Sequence, residues 1–225
     1  MQTDLSTRVG GMPAKSPSRI GRPPVRERLL TVADRLFYAE GIHAVGIDRV
    51  LAEAGVAKAS LYQHFASKDD LVVAYLQVRI DKGQDYLDRQ MASVDGTPAD
   101  QIVSFFEILG SWMAGPAFRG CPFINAAAEF PQADHPVHGA VVEHRLRTRS
   151  RFRVLAADLA IDDPDSLADS FMLLYDGALV AADLDSGLDP GRAVVATVRR
   201  VLLGAGGDIT PAPTGRSEPR SRRSR

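Results

Sequence analysis

"GVAKASLYQHFASKDDL", residues 55–71, decides how the chain is read. Gly55 closes one short helical pattern and another begins a few residues later, the spacing of a helix-turn-helix. On a helical wheel Leu61 and Phe65 point to one side, whereas Ala59 and Gln63 lie opposite, flanked by Ser60 and Tyr62 with Lys58 in the first turn. A polar helix is ordinarily just a solvated one. A helix of about eight residues with two anchors, however, has little stability of its own, so its polar face reads as one held in place for use. Small Ala59 would let the backbone approach a duplex, Gln63 can offer its amide to a base edge, and the hydroxyls and Lys58 suit phosphates. Lys68 opens the next helix, where unpaired backbone N–H groups already favour an anion.

The flanks carry the same helical period. Leu29, Ala33, Leu36 and Phe37 form one apolar stripe, stopped by Gly41, and Ile47, Val50, Leu51 and Ala54 form the next, stopped by Gly55. Ser67 is placed as the N-cap of a fourth helix, with Asp70 three residues on and Leu71, Ala74, Tyr75 and Val78 as its apolar face. Further helices are expected from Ile102, Phe105, Phe106, Leu109 and Met113, from Val137 through Leu159, from Leu167 to Leu184 and from Ala193 to Leu203. "CPFINAAAEF" is a short apolar piece between Pro122 and Pro131. "RLRTRSRFR" has period two, but its helical flanks and lack of turn residues favour a helix with arginines spread around it. The fold class is all-α.

The 225 residues, 45% of them hydrophobic, suffice for a well-buried core. No stretch reaches the roughly 18 apolar residues of a membrane span, and "MQTDLSTRVGG" lacks the apolar core of a signal peptide, so a soluble cytoplasmic protein is expected. The single Cys121 excludes an intrachain disulfide. The net charge of -1 hides a polarity: residues 1–70 carry 10 basic and 8 acidic groups, residues 71–204 carry 12 and 18, and residues 205–225 carry 5 and 2. Basic ends around an acidic middle hint at a polyanionic partner for the N-terminal part. Residues 1–24 read as a disordered basic arm and 205–225 as a disordered basic tail.

"GIDRVLAEAGVAKASLYQHFASKDDLVVAYL" resembles the DNA-binding segment of the tetracycline-repressor (TetR) family of bacterial transcriptional regulators, over residues 26–75. The resemblance implies a three-helix DNA-binding domain, here residues 25–70, joined through the fourth helix to a larger helical domain, residues 71–204, that binds a small-molecule effector and dimerises. It implies DNA-contacting positions at Lys58, Ser60, Tyr62, Gln63, His64 and Lys68, with Tyr62, His64 and Lys68 on phosphates; His64 could equally hydrogen-bond within the domain. Two positions depart from the family pattern: Gly46 and Ala57 stand where a hydroxyl cap is usual, and losing such a cap costs on the order of 1 kcal/mol, less for Gly. "RIGRPP" sets Arg19 and Arg22 like an arm that lays arginine in an adjacent minor groove, although disorder without function fits the same residues.

A DNA reader with one short helix gains specificity by pairing across half-sites, so a homodimer on a palindromic operator is expected. Leu174, Ala178, Ala181, Ala182, Val194, Val198, Val201 and Leu202, on the last two helices, are assigned to its interface, with ordinary core as the alternative. For a ligand cavity the aromatic candidates are Phe105, Trp112, Phe123, Phe130, Phe152 and Tyr175, and the polar intrusions are Asn125, His144 and Asp176. Each could instead serve the core. Cys121 reads as a packed thiol rather than a redox sensor, and His135, His138 and His144 match no ligand spacing, so neither metal nor cofactor is expected. There is no G-x-S-x-G, H-E-x-x-H, P-loop or dinucleotide fingerprint to suggest an enzyme. The competing account is an architectural DNA binder whose basic ends grip duplex without sequence preference.

Overall fold

The computed structural model describes residues 22–159, 161–185 and 187–206. Nearly all of the expected arm and tail, Arg19 included, lies outside these residues. The described residues form α1 (Val25–Glu40), α2 (Ile47–Ala54), α3 (Lys58–Tyr62), α4 (Lys68–Met91), α5 (Pro98–Met113), α6 (Pro122–Glu129), α7 (Pro136–Ala157), α8 (Pro164–Leu184) and α9 (Pro190–Gly204), and no strand. The all-α expectation holds.

Proline opens each helix from α5 to α9, where its missing N–H costs nothing and its fixed φ suits the first turn. Side chains just before α5, α8 and α9 complete the start: Thr97 and Asp100 form a reciprocal capping box, and Asp163 and Asp189 accept from Ser166 N–H and Arg192 N–H. Ser67 Oγ accepts from Asp70 N–H at 3.0 Å and so starts α4 as the sequence suggests. The 70/71 boundary drawn from sequence falls inside the first turn of α4, which makes that helix common to both halves.

α1, α2 and α3 pack around Leu29, Leu36, Phe37, Val50 and Leu61. The larger half is centred on α5. Phe106 stacks parallel on Phe152 of α7 at 5.5 Å between centroids, and Phe105 meets the same ring edge-on at 4.7 Å. α5 crosses α9 at Gly110 and Gly191, where a Cβ built on Gly191 would sit 2.9 Å from Gly110 Cα. α7 explains its own period-two arginines. Arg145, Arg149 and Arg153, four residues apart, pair with Asp176, Asp169 and Asp165 of α8. Arg147 and Arg151, offset by two, face α4 at Asp81 and Asp88. Two i,i+4 stripes on different sides of one helix thus mimic a strand pattern.

Candidate nucleic-acid interface and effector cavity

α2 ends at Gly55, whose left-handed backbone (φ 60°) no branched residue adopts cheaply. Gly55 N–H donates to Ala52 O at 3.2 Å and Val56 N–H to Leu51 O at 3.0 Å, so the turn closes the carbonyls of α2. Two arginines then tie it to the first helix and its approach. Arg28 Nη1 donates to Ala54 O at 2.8 Å and Gly55 O at 3.1 Å, and Arg22 Nη2 to Gly55 O at 3.1 Å. α2 and α3 lack a side-chain cap at Gly46 and Ala57, as the sequence implies, and the turn between them is held instead by Arg28 of α1 and by Arg22 just before it. Arg49 adds a bridge from α2 to Glu40 of α1 at 2.5 Å.

α3 is shorter than expected, five residues rather than about eight. Its last turn tightens, with His64 N–H and Phe65 N–H both donating to Leu61 O. The orientation is the expected one: Leu61 and Phe65 are buried, while Lys58, Ala59, Tyr62, Gln63 and His64 are exposed and Ser60 is partly so. Tyr62 keeps 54% of its surface in solvent. Lys58 Nζ lies 3.5 Å from Asp48 at the start of α2, an exposed pair worth little.

Two of the expected DNA contacts find other partners inside the protein. Lys68 Nζ donates to Ile42 O at 2.6 Å and lies 5.8 Å from the Phe37 ring centre; burial pulls its pKa below the usual lysine value. Arg22 is spent on Gly55 O rather than reaching out as an arm. Sequence reasoning passed over Arg28, because an arginine on a half-exposed helix face carries no mark of a long-range carbonyl contact.

The N-terminal half meets the larger half through polar contacts. Tyr38 Oη donates to Gly120 O and accepts from Arg119 N–H, each at 2.9 Å. The Glu129 carboxylate accepts from Ile42 N–H at 2.8 Å and His43 N–H at 2.5 Å. Phe130, expected at a ligand, is instead sandwiched between His43 and His135 at 4.7 and 4.6 Å, and His135 faces Asp69 of α4 at 3.3 Å.

A cavity of about 480 Å³ opens between α4, α5 and α7. Of the residues picked from sequence, Phe105, Trp112, Phe123, His144 and Tyr175 line it, together with Cys121. Others do not. Phe152 is wholly buried behind Phe105 in the aromatic core. Asn125 is exposed and donates to Arg119 O at 2.9 Å, and Asp176 pairs with Arg145 at 2.7 Å. These two polar intrusions are thus intrachain fastenings, the bland reading of such residues. His144 stacks on Phe123 at 3.7 Å with its Nε2 3.4 Å from Tyr175 Oη. Burial, reinforced by the Arg145 charge, pushes its pKa down to about 4, so its ring is neutral at pH 7. Burial likewise pushes the Cys121 thiol up to about 11, which leaves it protonated and unreactive. The wall also carries Arg79, Lys82, Arg147, Arg151 and Asp34, which the sequence presents only as solvated helix faces. Among the described residues no group of His, Cys, Asp or Glu is placed to hold a metal ion, and no helix is long and apolar enough to cross a membrane.

The last two helices redistribute the residues assigned to a dimer interface. Ala178, Val194, Val198 and Leu202 are buried within the chain, against neighbouring helices, and Leu174, Ala181, Ala182 and Val201 are half-buried. The large apolar side chains left outward on α8 are instead Leu173, Val180 and Leu184, one stripe at i, i+7 and i+11. Leu203 is outward on α9.

Residues 29–75 match the family of bacterial regulatory proteins, tetR family, and residues 98–198 match the tetracyclin repressor-like C-terminal domain. The fold is similar to that of SCO4454, a TetR-family transcriptional regulator from Streptomyces coelicolor. That likeness has a TM-score of 0.75 at 37% identity, over 80% of this chain and 95% of that one. The transcriptional regulator AcuR of Cereibacter sphaeroides is 28% identical over 72% of this chain and 77% of its own length. The transcriptional activator FasR of Mycolicibacterium smegmatis is 44% identical over 64 residues, 28% of this chain and 29% of FasR. With the helix-turn-helix at residues 47–62 and a helical C-terminal half matched alike, the chain belongs to the TetR family of DNA-binding transcriptional regulators, which are not enzymes.

Proposed function

We propose that the chain is a cytoplasmic, homodimeric repressor that occupies a palindromic operator and leaves it when a small molecule enters the cavity. In this reading residues 25–70 contact DNA, and residues 71–204 bind the effector and pair the subunits. The observation that carries it is the outward face of α3: Ala59, Tyr62, Gln63 and His64 are exposed while Leu61 and Phe65 lock the opposite side into the core. Gln63 is assigned to a base edge, and Lys58, Ser60, Tyr62 and His64 to the backbone. Two such faces, held about 34 Å apart by pairing along α8 and α9, would enter successive major grooves. The cavity lies against α4, the helix shared by both halves, so a ligand that binds one setting of α4 more tightly shifts the spacing of the heads.

Footprinting on fragments from upstream of the protein's own coding region tests this. A protected, roughly palindromic site that survives competitor DNA is expected, followed by release when an effector is supplied. Uniform coverage without a preferred site, lost steeply with added salt, would instead identify a sequence-indifferent binder.

A further inference from the structure

The cavity wall is sorted by polarity. Its buried side is made of Phe105, Phe123, Cys121 and Tyr175, whereas Arg79, Arg147 and Arg151, partly exposed, and exposed Lys82 border solvent. Asp34 is the one acid among the described lining residues, against those four cations. The acids that hold two of the arginines do not line the cavity: Glu143 and Asp81 stand at Arg147 and Asp88 at Arg151. They orient the guanidinium groups while leaving the cavity itself facing positive charge, and a guanidinium has five donors to share.

We infer that the effector is an amphipathic organic anion, with an apolar, preferably aromatic body against Phe105, Trp112 and Phe123, and a carboxylate head that meets Arg147 and Arg151 and competes with Asp34 for Arg79. This deepens the proposed function and rests on it. About 480 Å³ matches a small-molecule ligand in size. The neutral His144 and Tyr175 pair offers the inner end a hydrogen bond but no charge, so a carboxylate there would be buried without a counter-ion. The head therefore belongs among the arginines.

Displacement of Asp34 gives the anion its effect on DNA. Asp34 lies on α1 and Arg79 on α4, and Arg79 Nε donates to Asp34 Oδ1 at 2.5 Å. The same guanidinium lies 4.0 Å from the centre of the Tyr38 ring, whose hydroxyl holds Gly120 O. Arg79 thus joins α1 to the cavity wall. A carboxylate that takes Arg79 compensates its charge while removing one fastening between α1 and α4. Linkage then requires that operator and anion each weaken the other by the same factor.

The test uses the full-length protein. Trp112 is the only tryptophan in the sequence and lines the cavity, so its fluorescence reports occupancy without DNA. The probes are 3-phenylpropionate, 4-phenylbutyrate and 2-naphthoate, each against its primary carboxamide, with calorimetry for the naphthyl pair. At least one acid is expected to bind about tenfold more tightly than its amide, as one charge-assisted hydrogen bond warrants. The double variant Arg147→Gln, Arg151→Gln brings the acid down to the amide's affinity. Asp34→Asn removes the competitor, so it tightens acid binding several-fold and weakens the operator complex without ligand. A purely structural Asp34 would not raise ligand affinity. Parity of acid and amide throughout, absence of binding by every acid, or unchanged acid affinity in Asp34→Asn overturns the inference. Failure of the wild-type protein to footprint any site refutes the repressor reading separately, because the acid–amide comparison is read in the absence of DNA.

Discussion

Tyr38 of α1 donates its hydroxyl hydrogen to the carbonyl oxygen of Gly120, 82 positions along the chain, and so fastens the DNA-reading helices to the loop that leads into α6. Arg119 N–H returns a bond to the same hydroxyl. Tyr38→Phe leaves both backbone groups in search of a partner, at a cost of about 1–2 kcal/mol. Urea denaturation should show a lower midpoint with an unchanged slope, and an unaltered midpoint would mean the contact is idle.

Gln63→Ala should relax base preference at one position of each half-site by about 1–3 kcal/mol. Lys58→Ala should weaken binding evenly across sequences and lower the salt slope by about 1. Both side chains are exposed, so neither variant should melt earlier. Anisotropy titrations on a set of single-base operator variants at several salt concentrations separate the two; an even loss from Gln63→Ala would mark it as a phosphate contact.

Lys68→Met tests the inward placement of that ammonium. With Nζ spent on Ile42 O, the substitution should lower folding stability by about 1–2 kcal/mol and leave the salt dependence of operator binding as in the wild type. A reduced salt slope with full stability would return Lys68 to the DNA backbone.

His144 makes stability depend on pH. Its folded pKa of about 4 lies below the ordinary 6.5, so between those values the unfolded chain binds a proton that the native one refuses. The stabilisation is complete above pH 6.5 and declines as pH falls through the window to about 4, by up to about 3 kcal/mol. In His144→Phe, which keeps an aromatic ring against Phe123, that part of the pH dependence should vanish. Parallel denaturation curves at pH 7 and pH 5 decide it.

Leu173→Glu with Leu184→Glu should separate the subunits if the outward stripe of α8 pairs them, since both positions are largely exposed in the single chain and the charges cost little there. Sedimentation should show a folded monomer with operator affinity reduced at least a hundredfold, because two half-sites are no longer read together. A persistent dimer would place the interface elsewhere.

The fold was legible from sequence wherever one helix face faces one core. Ile47, Val50, Leu51 and Ala54, closed by Gly55, announce α2 to the residue. What escaped were the long-range polar contacts. Arg28 and Ala54, or Glu129 and Ile42, are neighbours only because the helices have already packed, and no local period encodes that. The cavity was half visible for the same reason. Phe105, Trp112, His144 and Tyr175 stood out by type, but Asn125 and Asp176 had closer partners, and the arginine wall looked like an ordinary solvated face. On α8 and α9, apolar character alone could not tell which residues pack inside the chain, as buried Ala178, Val194, Val198 and Leu202 do, and which face outward.

The clamp of Arg22 and Arg28 on the carbonyls behind α3 separates two tasks that a short helix usually performs together. Because the geometry of the turn is imposed from α1, the alphabet displayed at Ala59, Gln63 and His64 can be rewritten with little penalty to the architecture beneath. A library confined to those positions should therefore yield well-folded proteins of altered operator choice.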